Sequence, residues 1–361
     1  MKVDRSAFGK MNGSMIVHWP QNSQGFQNRL HKKGASVSVR ECLEHRGNKW
    51  VWVITSRRNL REVEMEDLHA LIKLLEEMHL SHQGEDIRFW KIESSGFEVV
   101  GVVTAVGPGL TGMKVGDIIA NAGNLMGSYA QEQILPASAA VPVPPSIDPI
   151  VAASIMLKGM TAQFLVRRCF KVEPGHTVLV HAAAGGVGSL LCQWAHALGA
   201  TVIGTVSTEA KAAQASKDGC HHVIIYSQED FVSRVDQITS GEGVNVVYDS
   251  VGKDTFQGSL ACLKTRGYMV NFGQSSGMPD PVPLSALAAK SLFLTRPSLM
   301  QYTATRKELL EAAGEVFASF ASGMLKVHVN HTYPLSQAAQ AHADLEARKT
   351  TGSVVLIPDS D

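Results

Sequence analysis

From residue 97 onward the apolar positions of this chain alternate between two rhythms. Short runs rich in Val, Ile and Thr read as buried strands, and runs with apolar residues three and four apart read as amphipathic helices. The sharpest case is residues 176–208. Residues 177–181 (Thr-Val-Leu-Val-His) predict a buried parallel strand, and 182–188 are small and glycine-rich. Residues 189–198 then place Leu190, Leu191, Trp194, Ala195 and Leu198 on one helical face, before Gly199 stops the helix. Residues 201–206 are a second β-branched run. Strand, glycine turn, helix and strand make one βαβ unit, the mononucleotide-binding half of a Rossmann fold.

The same alternation continues. Strands are predicted at 222–226, 244–249, 267–273 and 291–295, with helices at 209–218, 230–239 and 255–263 between them. That order indicates a parallel, doubly wound sheet. Ahead of it, short strand runs at 97–106, 118–120 and 127–135, punctuated by Gly107-Pro108-Gly109 and Lys114-Val115-Gly116-Asp117, suggest a small β-barrel. Four prolines between 137 and 149 mark a boundary, where Asp148 caps a helix that has Pro149 at its first position. After the sheet come a helix at 306–322, a strand at 325–329, a helix at 337–349 and a last strand at 353–357. This block is expected to return to the barrel. The expected division is residues 97–150 and 293–361 for a discontinuous barrel domain and 151–292 for the nucleotide-binding domain. Residues 1–96 are far less legible: 50–55 suggest a strand, and 62–80 a helix with Leu68, Leu71, Ile72, Leu75 and Met78 on one face.

Composition narrows the classes. The chain has 33 basic and 33 acidic residues and a formal net charge of zero, so electrostatics do not suggest nucleic acid. Five scattered cysteines without a Cys-x-x-Cys pair fit free thiols in a reducing compartment. No cysteine cluster or Gly-His-Glu motif suggests a metal site. No apolar run is expected to reach the roughly twenty residues of a membrane span, and no signal-peptide core is evident at the N-terminus. A cytoplasmic protein without a membrane partner is the expectation.

The glycine turn carries the chemistry. Gly185 without a side chain lets backbone approach a pyrophosphate, and Gly188 lets the helix pack closely, with Ala183 standing where the fingerprint has its first glycine. The amides that open the helix then face phosphate. An NAD site usually has an acid at the end of the second strand; here Ser207 and Thr208 are followed by Lys211. Hydroxyls and an ammonium suit a 2′-phosphate, so NADPH is the expected cofactor. Lys211 also reads simply as a solvated charge on its helix.

Several segments are diagnostic together: VVGVVTAVGPGL, KVGDIIA, GSYAQEQ, MLKGMTAQFLV, VHAAAGGVGSLLCQWAHALGA, VVYDSVGKDTF, MVNFGQSSG and SLFLTRPSL. Through them the chain from about residue 97 to its end resembles the zinc-free quinone oxidoreductases of the medium-chain dehydrogenase/reductase superfamily, which includes zeta-crystallin. The resemblance implies an α/β fold, a Rossmann doubly wound parallel sheet plus a GroES-like β-barrel domain, in a homodimer. It implies NADPH-dependent reduction of a quinone or related enone. It places Gly185, Gly186, Val187 and Gly188 at the pyrophosphate, Ser207 and Lys211 at the 2′-phosphate, and Tyr226 by the adenosine ribose. Lys158 and Thr161 fall near the nicotinamide, Phe272, Gly273 and Ser275 along its carboxamide, and Arg348 near the cofactor phosphate. Tyr226 also reads as a core-edge aromatic, and Arg348 as an exposed helix-end cation.

Residues 1–95 lack the Asn-Phe or Asn-Pro segment that this family carries near the nicotinamide. The N-terminal half of the barrel is therefore expected to be incomplete or replaced. Two functions follow. In the first, a hydride passes to a quinone or enone without zinc. The protein orients the reactants, and Tyr129 either walls the pocket or is a barrel-strand aromatic. In the second, the chain binds NADPH without turnover, as a crystallin-like protein.

Overall fold

The computed structural model describes residues 98–359 except 108, 124–127, 348 and 351, together with the backbone of five earlier strands. The chain divides into two units, Met1–His79 and Leu80–Asp361. In the first unit, β1 (Lys10–Met11), β2 (Ser14–His18), β3 (Leu43–Arg46) and β4 (Lys49–Thr55) form an antiparallel sheet in the order β1-β2-β4-β3. The strand expected at 50–55 is β4; the helix expected at 62–80 lies outside the described residues.

The second unit holds two sheets. One contains β5 (Asp86–Ser94), β6 (Glu98–Val106), β7 (Ile118–Ala122), β8 (Glu132–Pro136) and β9 (Val141–Pro142). The chain returns to it with β16 (Val329–Pro334) and β17 (Ser353–Ile357), giving the order β16-β17-β5-β6-β7-β9, with β8 also on β5. β5 pairs antiparallel with β6 from Ile87↔Val106 to Ser94↔Val99. It lies inside the segment expected to be unmatched, so this sheet begins upstream of residue 97. β16 replaces the strand expected at 325–329: Leu325 is buried in the core and its amide bonds to Ser319 O at 3.0 Å, closing the preceding helix. Its apolar neighbours therefore serve the helix end, and pairing starts four residues later.

The other sheet is parallel throughout. It runs β12-β11-β10-β13-β14-β15, formed by β10 (Thr177–Val180), β11 (Thr201–Val206), β12 (His222–Ile225), β13 (Val244–Asp249), β14 (Leu263–Asn271) and β15 (Phe293–Thr295). This is the 3-2-1-4-5-6 order of the dinucleotide fold. The β-branched runs are buried on both faces, as parallel strands with helices on each side require.

A long helix, Pro149–Phe164, sits between the two sheets and packs on β6, β7, the helix Gly186–Ala197 and the helix Arg306–Ala321. Asp148 caps it, accepting from Ile150 N at 2.8 Å, with Pro149 at its first position. With a final wider turn to Cys169 it spans 21 residues and is apolar enough for a membrane span, contrary to the sequence expectation. Two thirds of that stretch is buried within the protein. Met156, Met160, Phe164 and Leu165 pack in one core with Trp194, Tyr248 and Val316, which accounts for its apolarity.

Candidate functional site

Five strand ends of the parallel sheet open on one edge. There the chain leaves β10 into the glycine turn, β11 into Ser207, β12 into Tyr226, β13 into Ser250–Gly252 and β14 into Phe272–Ser275. Ligands bind at this edge of such sheets because backbone groups and helix N-termini converge there.

The turn after β10 is tight. Ala182 adopts a left-handed φ of 51°, so the strained position falls one residue before Ala183. Gly185 N bonds to Ala182 O at 2.8 Å, and the helix Gly186–Ala197 follows with Gly185 as its cap. Ser189 N makes the first helical bond, to Gly185 O. The amides of Gly186, Val187 and Gly188 have no acceptor among the described residues and point out of the helix start. A Cβ on Gly188 would overlap Ala182 O, while one on Gly186 would lie 2.8 Å from Lys158 Cδ. The cradle thus needs glycine for two reasons: the helix closes on the turn's backbone at Gly188, and the stem of Lys158 lies across Gly186.

Lys158 Nζ reaches Glu98 Oε1 at 3.0 Å, Ser154 O at 3.3 Å and Ser353 Oγ at 3.3 Å. Glu98 is fully buried, and its other oxygen accepts from Leu157 N at 2.7 Å. The lysine's three protons therefore have three protein acceptors, and it meets the turn through its hydrocarbon stem. Removing one partner of such a buried pair typically costs 3–5 kcal/mol. Nothing local marks Glu98 in the sequence; its partner is 60 residues away.

At the end of β11 the two expected phosphate ligands meet: Lys211 Nζ donates to Ser207 Oγ at 3.3 Å. Thr208 caps the following helix, accepting from Lys211 N, and so sets where the lysine stands. Tyr226 is half exposed beside them, held by its amide to Val206 O. Ser227 Oγ, not singled out from sequence, donates to Ser207 O at 3.0 Å.

On the other side of the edge, Phe272 N and Gly273 N bond to Asp249 O, and Ser275 N to Ser250 O. The Asp249 carboxylate, fully buried, accepts from Val251 N at 2.8 Å, Gly252 N at 3.0 Å, Thr255 Oγ1 at 2.8 Å and Ser259 Oγ at 3.0 Å. Ser259 is in turn bonded to His181 Nε2 at 3.0 Å, and His181 Nδ1 to Thr205 Oγ1 at 2.9 Å. This buried chain runs behind the turn and behind the loop after β13. Burial pushes His181 down to about 4, against a smaller opposing pull from the Asp249 charge. Sequence spacing does not reveal the chain, because its members are brought together by strand order.

Thr161 turns its hydroxyl back onto Leu157 O at 2.8 Å. Tyr129 stands at the surface with its hydroxyl 2.8 Å from His342 Nε2; burial raises its phenol. Arg348 lies outside the described residues. Among the described residues, no three His, Cys, Asp or Glu side chains come together as a metal site.

A parallel 3-2-1-4-5-6 sheet with a glycine cradle, joined to a second β-sheet through a shared helix, defines a dinucleotide-binding oxidoreductase fold. The model of the zinc-binding dehydrogenase family matches residues 186–315, which includes the cradle helix. Quinone oxidoreductase 1 of Escherichia coli (strain K12) is 48% identical over 266 residues, 73% of this chain and 81% of that protein. The 2-haloacrylate reductase of a Burkholderia species is 48% identical over 269 residues, with the same coverage. The solved Escherichia coli quinone oxidoreductase complexed with NADPH superposes with a TM-score of 0.74 at 43% identity, covering 76% of this chain and 92% of that one. The chain belongs to the quinone oxidoreductases of the medium-chain dehydrogenase/reductase superfamily, the zinc-free branch that its motifs resemble.

Proposed function

We propose that this protein is an NADPH-dependent quinone reductase, acting on a quinone or related enone without zinc. The observation that carries the proposal is the meeting of Ser207 and Lys211 beside an open glycine cradle, in a chain 48% identical to a quinone oxidoreductase. The cradle fits the cofactor on its own terms, since the amides of Gly186, Val187 and Gly188 open a twelve-residue helix without an acceptor among the described residues, as a bound phosphate requires. The amides of Gly186, Val187 and Gly188 hold the pyrophosphate, and Ser207 and Lys211 hold the 2′-phosphate. Tyr226 covers the adenosine ribose. Phe272, Gly273 and Ser275 run along the carboxamide, with Lys158 and Thr161 near the nicotinamide and Arg348 toward the phosphate. When bound, NADPH supplies the hydride. The protein aligns a flat acceptor and excludes water. A reduced quinone delocalises its charge over the ring oxygens, so water can supply protons and no residue is assigned as general acid. Tyr129 forms a pocket wall.

The domain division follows the same reading: 97–150 with 293–361 for the catalytic part, extended upstream by β5, and 151–292 for the cofactor. A homodimer is proposed through β15. This strand ends the parallel sheet, and Phe293 and Leu294 on it are 49% and 38% exposed. An apolar edge with no further strand on it among the described residues invites a second copy; sedimentation at one chain mass, 38.8 kDa, would refute it. A cytoplasmic location is supported by the free thiols Cys169, Cys192, Cys220 and Cys262, and cell fractionation tests it.

The test is fluorescence titration with NADPH followed by addition of a quinone. Binding with oxidation of the nicotinamide is the expected result; binding without it would favour the non-catalytic alternative. Lys211→Ala should weaken NADPH by about 1.5–3 kcal/mol, roughly ten- to a hundredfold, and leave NADH nearly unchanged. Equal loss for both cofactors would remove Lys211 from the 2′-phosphate.

A further inference from the structure

Cys192 and Cys220 lie with their sulfurs 3.3 Å apart, on segments 28 residues apart in sequence. Cys192 belongs to the helix that leaves the glycine turn, and Cys220 to the loop that enters β12. The two backbones are close: a Cβ on Gly219 would lie 2.7 Å from His196 Cβ and 3.4 Å from Cys192 O. Cys220 also shares a core cluster with Ala183 of the turn. A Cβ on Gly204 would fall 2.6 Å from Cys220 Sγ and 2.7 Å from Ala183 Cβ, so those two groups crowd the same glycine and leave no room beside it.

We propose that Cys192 and Cys220 are an oxidation site, closed to a disulfide by a hydroperoxide, and that closure weakens cofactor binding at the turn above it. Cys220 keeps 7% of its surface exposed and Cys192 none, so the oxidant meets Cys220 first. The Cys220 thiol takes one oxygen from hydrogen peroxide, giving a sulfenic acid and one water. The Cys192 sulfur then attacks the Cys220 sulfur; an S–S bond forms, the S–O bond breaks, and the hydroxyl leaves with the Cys192 proton as a second water. Two thiols are oxidised and one peroxide is reduced. Cys220 and the surrounding burial hold the Cys192 thiol protonated, which keeps the pair reduced until Cys220 has been oxidised.

Closing the pair needs the sulfurs to approach from 3.3 Å to about 2.05 Å. The surroundings are close-packed, so the shift passes into its neighbours, which here are the turn helix and Ala183. The amides of Gly186–Gly188 would then be displaced from their phosphate geometry. This effect, unlike the cross-link itself, rests on the reading of the turn as the NADPH site.

The experiment treats the full-length protein with hydrogen peroxide, maps non-reduced peptides by mass and titrates NADPH before and after. The expected result is a joined Cys192–Cys220 peptide about 2 Da lighter than the two thiol peptides together. NADPH affinity should fall about tenfold and return with dithiothreitol, and Cys192→Ser and Cys220→Ser should be insensitive. By reciprocity, saturating NADPH should slow the closure. Oxidation confined to the other three cysteines would overturn the site. A joined peptide with affinity unchanged, or the same loss of affinity in Cys220→Ser, would overturn the coupling. Failure of the untreated protein to bind NADPH would instead sink the cofactor reading and leave the peptide result standing.

Discussion

Gly188→Ala is expected to lose NADPH binding by at least an order of magnitude and to lower stability by about 1–3 kcal/mol. The added methyl would overlap Ala182 O, lie 2.9 Å from the Ala182 carbonyl carbon and 3.0 Å from Ala183 Cα. All three obstacles are backbone, and Ala182 is already left-handed with a φ of 51°. No flexible side chain can yield, so the helix must lift from the turn and carry its free amides with it. Gly314→Ala is the matched control. Gly314 lies inside the helix Arg306–Ala321, and a Cβ there meets nothing within 4 Å. That change should raise stability by about 0.5–1 kcal/mol through lower unfolded-state entropy and better helix propensity. Thermal unfolding and NADPH titration of the two variants decide the matter. A Gly188→Ala protein that melts with the wild type and binds within twofold would mean that the turn tolerates movement.

What the sequence made legible was set by how local each signal is. The runs at 201–206 and 244–249 match β11 and β13 to the residue, because a strand buried on both faces is a continuous β-branched run. The pairing of Ser207 with Lys211 was legible because both flank one helix start, four residues apart. β5 was missed for a physical reason. Its register shifts between Arg88 and Phe89 and again between Lys91 and Glu93, and each bulge interrupts the two-residue period on which strand recognition depends. Glu98 and Asp249 stood inside recognised segments, yet their roles came only with the fold. Glu98 meets a lysine 60 residues on, and Asp249 organises backbone amides after β13. The positive φ of Ala182 was not legible, because an alanine gives no hint of a left-handed position; a glycine there would have.

The second large effect concerns acid. Below pH 6.5 the protein should lose stability steadily, by about 2 kcal/mol at pH 5 and about 3 kcal/mol once pH falls past 4, from His181 alone. Ser259 spends its proton on Asp249 Oδ2, so it can only accept from His181 Nε2. His181 is thus the neutral Nε2–H tautomer, and its Nδ1 accepts from the Thr205 hydroxyl. A second proton, on Nδ1, would cost the hydrogen bond that Thr205 donates and would place a charge in the buried core. The folded value of about 4 lies below the unfolded 6.5, so between them the unfolded chain binds the extra proton and is favoured. Above 6.5 neither state is protonated and the term vanishes. Urea unfolding at pH 7.5 and pH 5 measures it in wild type and in His181→Asn, which should be less stable at pH 7.5 but show a flatter acid limb. Equal acid limbs in the two proteins would mean that other groups set the acid sensitivity. Because the same chain ends on the Asp249 carboxylate that fixes the amides of Val251 and Gly252, the acid-weakened protein should first loosen the loop after β13. Hydrogen exchange at Val251 and Gly252 should therefore accelerate before the strands β10 and β11 open.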